Sequence, residues 1–147
     1  MTTIIANSEG MASDTSTQQG KTIFSLHAQK IFRVKGHLIG VCGSCAQAYS
    51  IVHDIKTAKS PPIEYLYEYS SERYDGASIL ILNPAGQIWL YDGHGVPYRV
   101  HEPAVAIGSG GIVAQAALMA GASVKEAVKI AIALDTSSNG KIKYVKL

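Results

Sequence analysis

The stretch from Ala77 to Tyr91 constrains this chain more than any other. Ala77 to Leu82 is an apolar run, Asn83-Pro84-Ala85-Gly86 follows, and Gln87 to Tyr91 is a second apolar run. Asn, Pro and Gly in that order are turn chemistry. Two strands joined so closely can pair only as antiparallel neighbours, because a parallel pair needs a crossover of roughly a dozen residues or more. The same grammar opens the chain. Thr2 to Ala6 is β-branched and apolar, Asn7-Ser8-Glu9-Gly10 is a tight turn, and Met11 to Asp14 returns alongside. That hairpin should bring Asp14 back close to Thr2. Thr22 to Leu26, Lys30 to Val34 and His37 to Val41 also read as strands, with Thr15 to Gly20 as a polar loop. Val96 to Val100, Ala104 to Ile107 and Ile142 to Val145 are further strands.

Helical periodicity appears in two places. Gly43 and Ser44 open a helix of about 15 residues, with Tyr49, Val52 and Ile55 on its inner face. Ser60-Pro61-Pro62 stops it, since the residue before a proline is pushed out of the helical region. Ile63 to Tyr74 fits two periods: Tyr65, Tyr67 and Tyr69 alternate as in a strand, whereas Tyr65, Leu66 and Tyr69 share a helix face. A short helix is the preferred reading, with the tyrosines in a core or an interface rather than stacked on bases. Ile112 to Ala120 is a helix of small residues. Val124 to Leu134 is amphipathic, with Val124, Ala127, Val128, Ala131 and Leu134 opposite Lys125, Glu126 and Lys129. The order is strands, two helices, strands, two helices, strand. The expected fold is α+β, a single domain over residues 1–147. Its two antiparallel sheets pack face to face with helices outside each, a four-layer αββα sandwich.

Composition narrows the functional classes. Hydrophobic residues make up 47% and charged residues 16% of the chain, which suggests surface buried by stacked layers or by neighbouring subunits. A net charge of +2 with scattered Lys and Arg argues against nucleic acid and anionic membranes as partners. No signal segment opens the chain and no apolar run reaches about 18 residues, so a cytoplasmic location is expected. The five histidines lack metal-ligand spacing. Gly108 to Gly111 lacks the Gly-Lys-Ser/Thr ending of a phosphate loop. No metal and no cofactor is expected.

The residues that point to chemistry begin at the N-terminus. Removal of Met1 would leave Thr2 with a hydroxyl nucleophile and a free α-amine on one residue. An α-amine has an ordinary pKa of about 8, against about 10 for lysine, so it can act as a base near neutral pH. Met1-Thr-Thr-Ile-Ile5, Ser13-Asp14, Lys30-Ile31, Gly40 to Ser44, Ala106 to Gly111 and Asp135-Thr-Ser-Ser-Asn-Gly140 occur in an order that resembles the proteasome β-subunit superfamily. The resemblance spans nearly the whole chain. The bare Met-Thr-Thr start and the Ala-Ile-Gly-Ser-Gly-Gly run followed by Ala114-Gln115-Ala116-Ala117 look most like the bacterial HslV peptidases. The Asp-x-x-Ser-x-Gly loop looks more like proteasome β subunits.

That resemblance implies an N-terminal-nucleophile hydrolase fold and a threonine endopeptidase. In it Thr2 is the nucleophile, Lys30 the cation beside it, and Asp14 the partner that holds Lys30 in place. Ser109 lies near the amine, and Asp135 with Ser138 orients the amine and a proton-relay water. Ser109 is also a suitable N-cap for the helix at 112. The oxyanion donor is a backbone N–H at Gly43 or Ser44. Thr17, Gln18, Ala28 and Cys42 would bind substrate. The resemblance further implies a homo-oligomeric ring, with stacked rings, around a chamber that receives unfolded polypeptide from an AAA+ unfoldase ATPase. Two features depart from the family pattern. Thr2 and Asp14 are twelve positions apart, about four fewer than usual. A loss of two residues from each hairpin strand would still keep every side chain on its face. The stretch from Lys56 to Gly76 is also short.

Two rival functions come from the same chain. Cys42-Gly43-Ser44-Cys45 is a Cys-x-x-Cys after a strand and at a helix start, where a helix N-terminus would lower the Cys42 pKa and support thiol redox chemistry. A sandwich that has lost catalysis and serves as a structural or adaptor protein is the other.

Overall fold

The computed structural model describes residues 2–147. Met1, on whose removal the N-terminal amine depends, lies outside the described residues. In chain order the elements are β1 (Thr3–Asn7), β2 (Gly10–Ser13), β3 (Thr17–Gln19), β4 (Thr22–Ser25), β5 (Ile31–Val34), β6 (His37–Cys42), α1 (Cys45–Thr57), α2 (Pro62–Arg73), β7 (Ser78–Leu82), β8 (Ile88–Tyr91), β9 (Tyr98–Val100), β10 (Ala104–Gly108), α3 (Gly111–Met119), α4 (Val124–Leu134) and β11 (Lys143–Lys146). One sheet has the order β10-β1-β2-β11 and another β5-β6-β7-β8-β9, and their neighbours run antiparallel throughout. No helix among the described residues is long and apolar enough to cross a membrane.

Strand alternation sorts the apolar residues into three packed layers. Ile4 and Ala6 on β1 point between the sheets, where they meet Leu38, Leu80 and Leu82. Ile5, between them in sequence, points the other way, onto Val124, Ala127, Val128 and Ala131 of α4. In β7, Ile79 and Ile81 pack beneath α1 and α2, against Ile51, Ile55 and Leu66, while Leu80 and Leu82 join the layer between the sheets. Both sheets are therefore covered on both faces, which makes the fold the expected α+β four-layer αββα sandwich. Each fully buried Ile or Leu contributes about 1.5–3 kcal/mol. The two sheets approach closely at Gly40, where any Cβ would press on Ile4 Cγ2 at 2.8 Å.

Helix ends follow local chemistry. The Ser44 hydroxyl accepts from the Gln47 N–H at 3.1 Å and caps α1. α1 ends at Thr57, short of the two prolines, and Pro62 begins the next helix, sitting in the first turn of α2 where its missing N–H costs nothing. Ser123 and Glu126 form a reciprocal capping box at the start of α4.

Three expectations are corrected. The segment Thr15 to Gly20 is not all loop: β3 pairs with β4 in a separate two-stranded ribbon. This ribbon has no buried face, so no apolar alternation announced it. Tyr49 is not on the inner face of α1. It is 55% exposed and meets Phe32 edge-on with ring centroids 5.5 Å apart, while Ile51 takes the core position. Leu134 is also exposed rather than buried, because the inward position at the end of α4 passes to Asp135, four residues after the buried Ala131 and bonded to Ser138 and Ser109. The tyrosines of α2 divide between roles. The Tyr65 and Tyr74 hydroxyls lie 2.9 Å apart and Tyr74 donates to Asp54 at 2.7 Å, whereas Tyr67 faces solvent.

Candidate active site

Thr2, Asp14 and Lys30 come from three different strand ends and meet in the interior. The β1–β2 hairpin pairs Ile4 with Ser13 and Asn7 with Gly10, which sets Asp14 beside Thr3. The Asp14 N–H donates to the Thr3 carbonyl at 3.2 Å, and the Thr3 N–H returns a bond to Asp14 Oδ1 at 3.0 Å. Lys30 lies just before β5. Its ammonium is 2.8 Å from Asp14 Oδ1 and 3.0 Å from Thr2 Oγ1. Thr2 is 7%, Asp14 0% and Lys30 8% exposed. A buried carboxylate survives only when its lone pairs are met. Here Oδ2 also accepts from the Ser16 N–H and hydroxyl at 3.4 and 3.1 Å and from the Asn139 N–H at 3.1 Å. The short spacing between Thr2 and Asp14 has thus left the hairpin in register.

A second polar cluster lies beside Thr3. Asp135 closes α4, and its Oδ2 accepts from Ser138 Oγ at 2.6 Å and Ser109 Oγ at 2.7 Å. Burial pushes the Asp135 pKa up, but the Ser138 and Ser109 hydroxyls and the Ser137 N–H outweigh it and hold the carboxyl below its ordinary range. Ser109 does not cap α3; Gly110 occupies that position without a side-chain bond. The Ser109 hydroxyl instead serves Asp135 and approaches the Thr2 carbonyl at 3.5 Å.

Thr3, Ser16 and Asn139 belong to this site and were not singled out in the sequence. Ser16 had a signal, since Asp-x-Ser is the spacing at which an aspartate bonds the backbone two residues on. Thr3 had none, because its partner Ser138 is 135 positions away.

Thr2 opens onto a cleft of about 390 Å³ whose lining includes Thr17, Gln18, Ala28, Gly43, Ser44 and Cys45. The expected oxyanion positions, Gly43 and Ser44, therefore both border the cleft beside the first turn of α1, where backbone N–H groups favour negative charge. Cys42 does not line it. As the last residue of β6 it shares the parity of Leu38 and Gly40 and packs between the sheets; Cys45 faces the cleft instead.

The redox expectation for Cys42 is reversed. Burial first, and the Asp14 charge besides, push its thiol up to about 12 against the opposing pull of Lys30. Both cysteines are free. At about pH 8 a thiol reagent should label Cys45 quickly and Cys42 only after unfolding, because the thiolate is the reacting form. Peptide mapping of the labelled protein checks this, and equal labelling rates would contradict it.

Two face-to-face antiparallel sheets under paired helices, with the first strand carrying its polar residues into the interior, form an N-terminal-nucleophile hydrolase type of fold. Among such folds the likeness is to HslV and a proteasome-like relative. Eukaryotic HslV from Trypanosoma brucei superposes with a TM-score of 0.80 at 26% identity, covering 99% of this chain and 98% of that one. The BPH protein of Thiobacillus denitrificans matches at 0.78 in complex with epoxomicin and at 0.77 alone, each at 19% identity over 99% of this chain, and 97% and 96% of theirs. The resemblance to the proteasome β-subunit superfamily, drawn from motif order, is therefore carried by the backbone over nearly the full chain. No protein-family model and no curated protein sequence matches the chain.

Proposed function

We propose that the protein is an N-terminal threonine endopeptidase that hydrolyses peptide bonds with Thr2 once Met1 is removed. One observation carries this reading: the Lys30 ammonium lies within 3.0 Å of Thr2 Oγ1 while paired to a fully buried Asp14. An ammonium there stabilises the hydroxyl oxygen as it loses its proton, and it disfavours a second positive charge on the adjacent α-amine. The amine takes the hydroxyl proton as Thr2 Oγ1 attacks the peptide carbonyl. The backbone N–H of Gly43 or Ser44 meets the developing oxyanion, a contribution of about 3–4 kcal/mol in comparable sites. The amine then passes its proton to the departing nitrogen, leaving an ester on Thr2 that water hydrolyses. Ser109, Asp135 and Ser138 orient the amine and the water, and Thr17, Gln18 and Ala28 border the substrate.

The assembly that fits this reading is a cytoplasmic homo-oligomeric ring whose Thr2 sites face an enclosed chamber, supplied with unfolded polypeptide by an AAA+ unfoldase. The co-structure of the Thiobacillus denitrificans protein with epoxomicin supplies the probe. Intact mass of the purified protein should show Met1 absent and one epoxomicin adduct, lost in Thr2→Ala. A protein that lacks Met1 and still takes no adduct rules the peptidase out.

A further inference from the structure

We propose that Thr3, the residue after the nucleophile, is a positioning residue that couples the Lys30–Asp14 pair to the Asp135–Ser138 turn; this rests on the peptidase reading. The peptide plane between Thr2 and Thr3 is held at both edges. Its N–H donates to Asp14 Oδ1 at 3.0 Å, and its carbonyl accepts from the Gly110 N–H at 3.4 Å. The Thr3 side chain, fully buried, adds the third tie: Oγ1 lies 2.6 Å from Ser138 Oγ. The direction of that bond follows from proton counting. Ser138 has one hydroxyl proton, and the ionised Asp135 carboxylate 2.6 Å away can only accept it. Ser138 is left as acceptor to Thr3, so the chain runs Thr3 to Ser138 to Asp135.

Space around the Thr3 hydroxyl is reserved. A Cβ at Gly110 would overlap Thr3 Oγ1, although the Gly110 backbone at φ −86° suits any residue. The glycine is therefore required by the Thr3 hydroxyl and not by its own conformation. Thr3 thus bonds one carboxylate, Asp14, directly through its N–H and reaches the other, Asp135, through its hydroxyl and Ser138. Loss of the hydroxyl would leave Thr2 bonded to Lys30 and the turn still tied to Asp14 and Thr15 through Asn139, but would free Ser138 from the backbone that carries the nucleophile. A displacement of about 1 Å in such a site costs as much as 100-fold in rate.

The test compares wild type with Thr3→Val, which keeps the shape and removes the donor, and Thr3→Ser, which keeps the donor. Active sites are titrated with epoxomicin so that turnover is counted per competent Thr2, and melting temperatures are measured in parallel. Thr3→Val should lower kcat about tenfold with KM within about twofold, and Thr3→Ser should stay within about twofold of wild type in kcat. Thr3→Ala takes the place of the valine variant if that one does not fold. A purely structural role would lower the melting temperature and the titrated fraction but leave kcat per site untouched. That result, or a serine variant as slow as the valine one, overturns the proposal while wild-type turnover leaves the peptidase reading standing. Wild type without turnover or adduct sinks both.

Discussion

Lys30→Ala is expected to lower peptide hydrolysis by about 10²–10⁴-fold, the range in which a positioned proton-transfer or charge-stabilising group contributes. The geometry gives the reason. Among the described residues Lys30 places a cation against Thr2 Oγ1, at 3.0 Å, and the same ammonium satisfies Asp14 Oδ1 at 2.8 Å. Its removal therefore has a second consequence. Breaking one side of a buried ion pair costs about 3–5 kcal/mol because the other charge stays desolvated. The N–H groups of Thr3, Ser16 and Asn139 continue to serve Asp14, so the lower end, about 3 kcal/mol, applies, a fall in melting temperature of about 6–12 °C. Lys30→Met, which keeps the buried stem, should be just as inactive, and the two together separate lost chemistry from lost fold. Hydrolysis of a fluorogenic peptide and thermal melting measure both. Activity near wild type in a folded Lys30 variant means that Lys30 has been misassigned.

Gly108→Ala should be the most destabilising small substitution near the site, by about 4 kcal/mol or more, with loss of epoxomicin labelling. Gly108 ends β10 opposite Thr3 with φ at +97°, and a Cβ there would run into the Thr2 carbonyl oxygen. Strain and clash add, and the clash pushes directly on the backbone that carries the nucleophile. Gly121→Ala supplies the control. Its φ is nearly the same, +100°, but nothing lies within 4 Å of its Cβ. It should cost only the strain, about 1–2 kcal/mol, and leave labelling intact. Chemical denaturation of both variants decides the matter; equal losses would mean that the approach of β10 to Thr2 is not what demands glycine at 108.

Strand and helix order was legible because it is written in local periodicity. Thr2 to Ala6 and Ala77 to Leu82 read as apolar strands of hairpins, and α4 was found at its observed limits, Val124–Leu134. The β3–β4 ribbon was missed because it buries nothing, so pattern had no purchase on it. Tyr49 and Leu134 were misplaced for the complementary reason: a helical face tells which residues align, and not which part of that face the sheet beneath it covers.

Order along the chain determined that two hairpin-rich sheets would stack under two helix pairs, and motif order placed Thr2, Asp14 and Lys30 together as candidates. Only the folded molecule decided that Thr3 joins two carboxylates, that Cys45 rather than Cys42 faces the cleft, and that Ser109 serves Asp135 instead of capping α3. Those outcomes depend on hydrogen bonds between residues 26 and 135 positions apart, or on which face a strand's last residue presents once a second sheet covers it. Nearest neighbours in sequence carry no record of either.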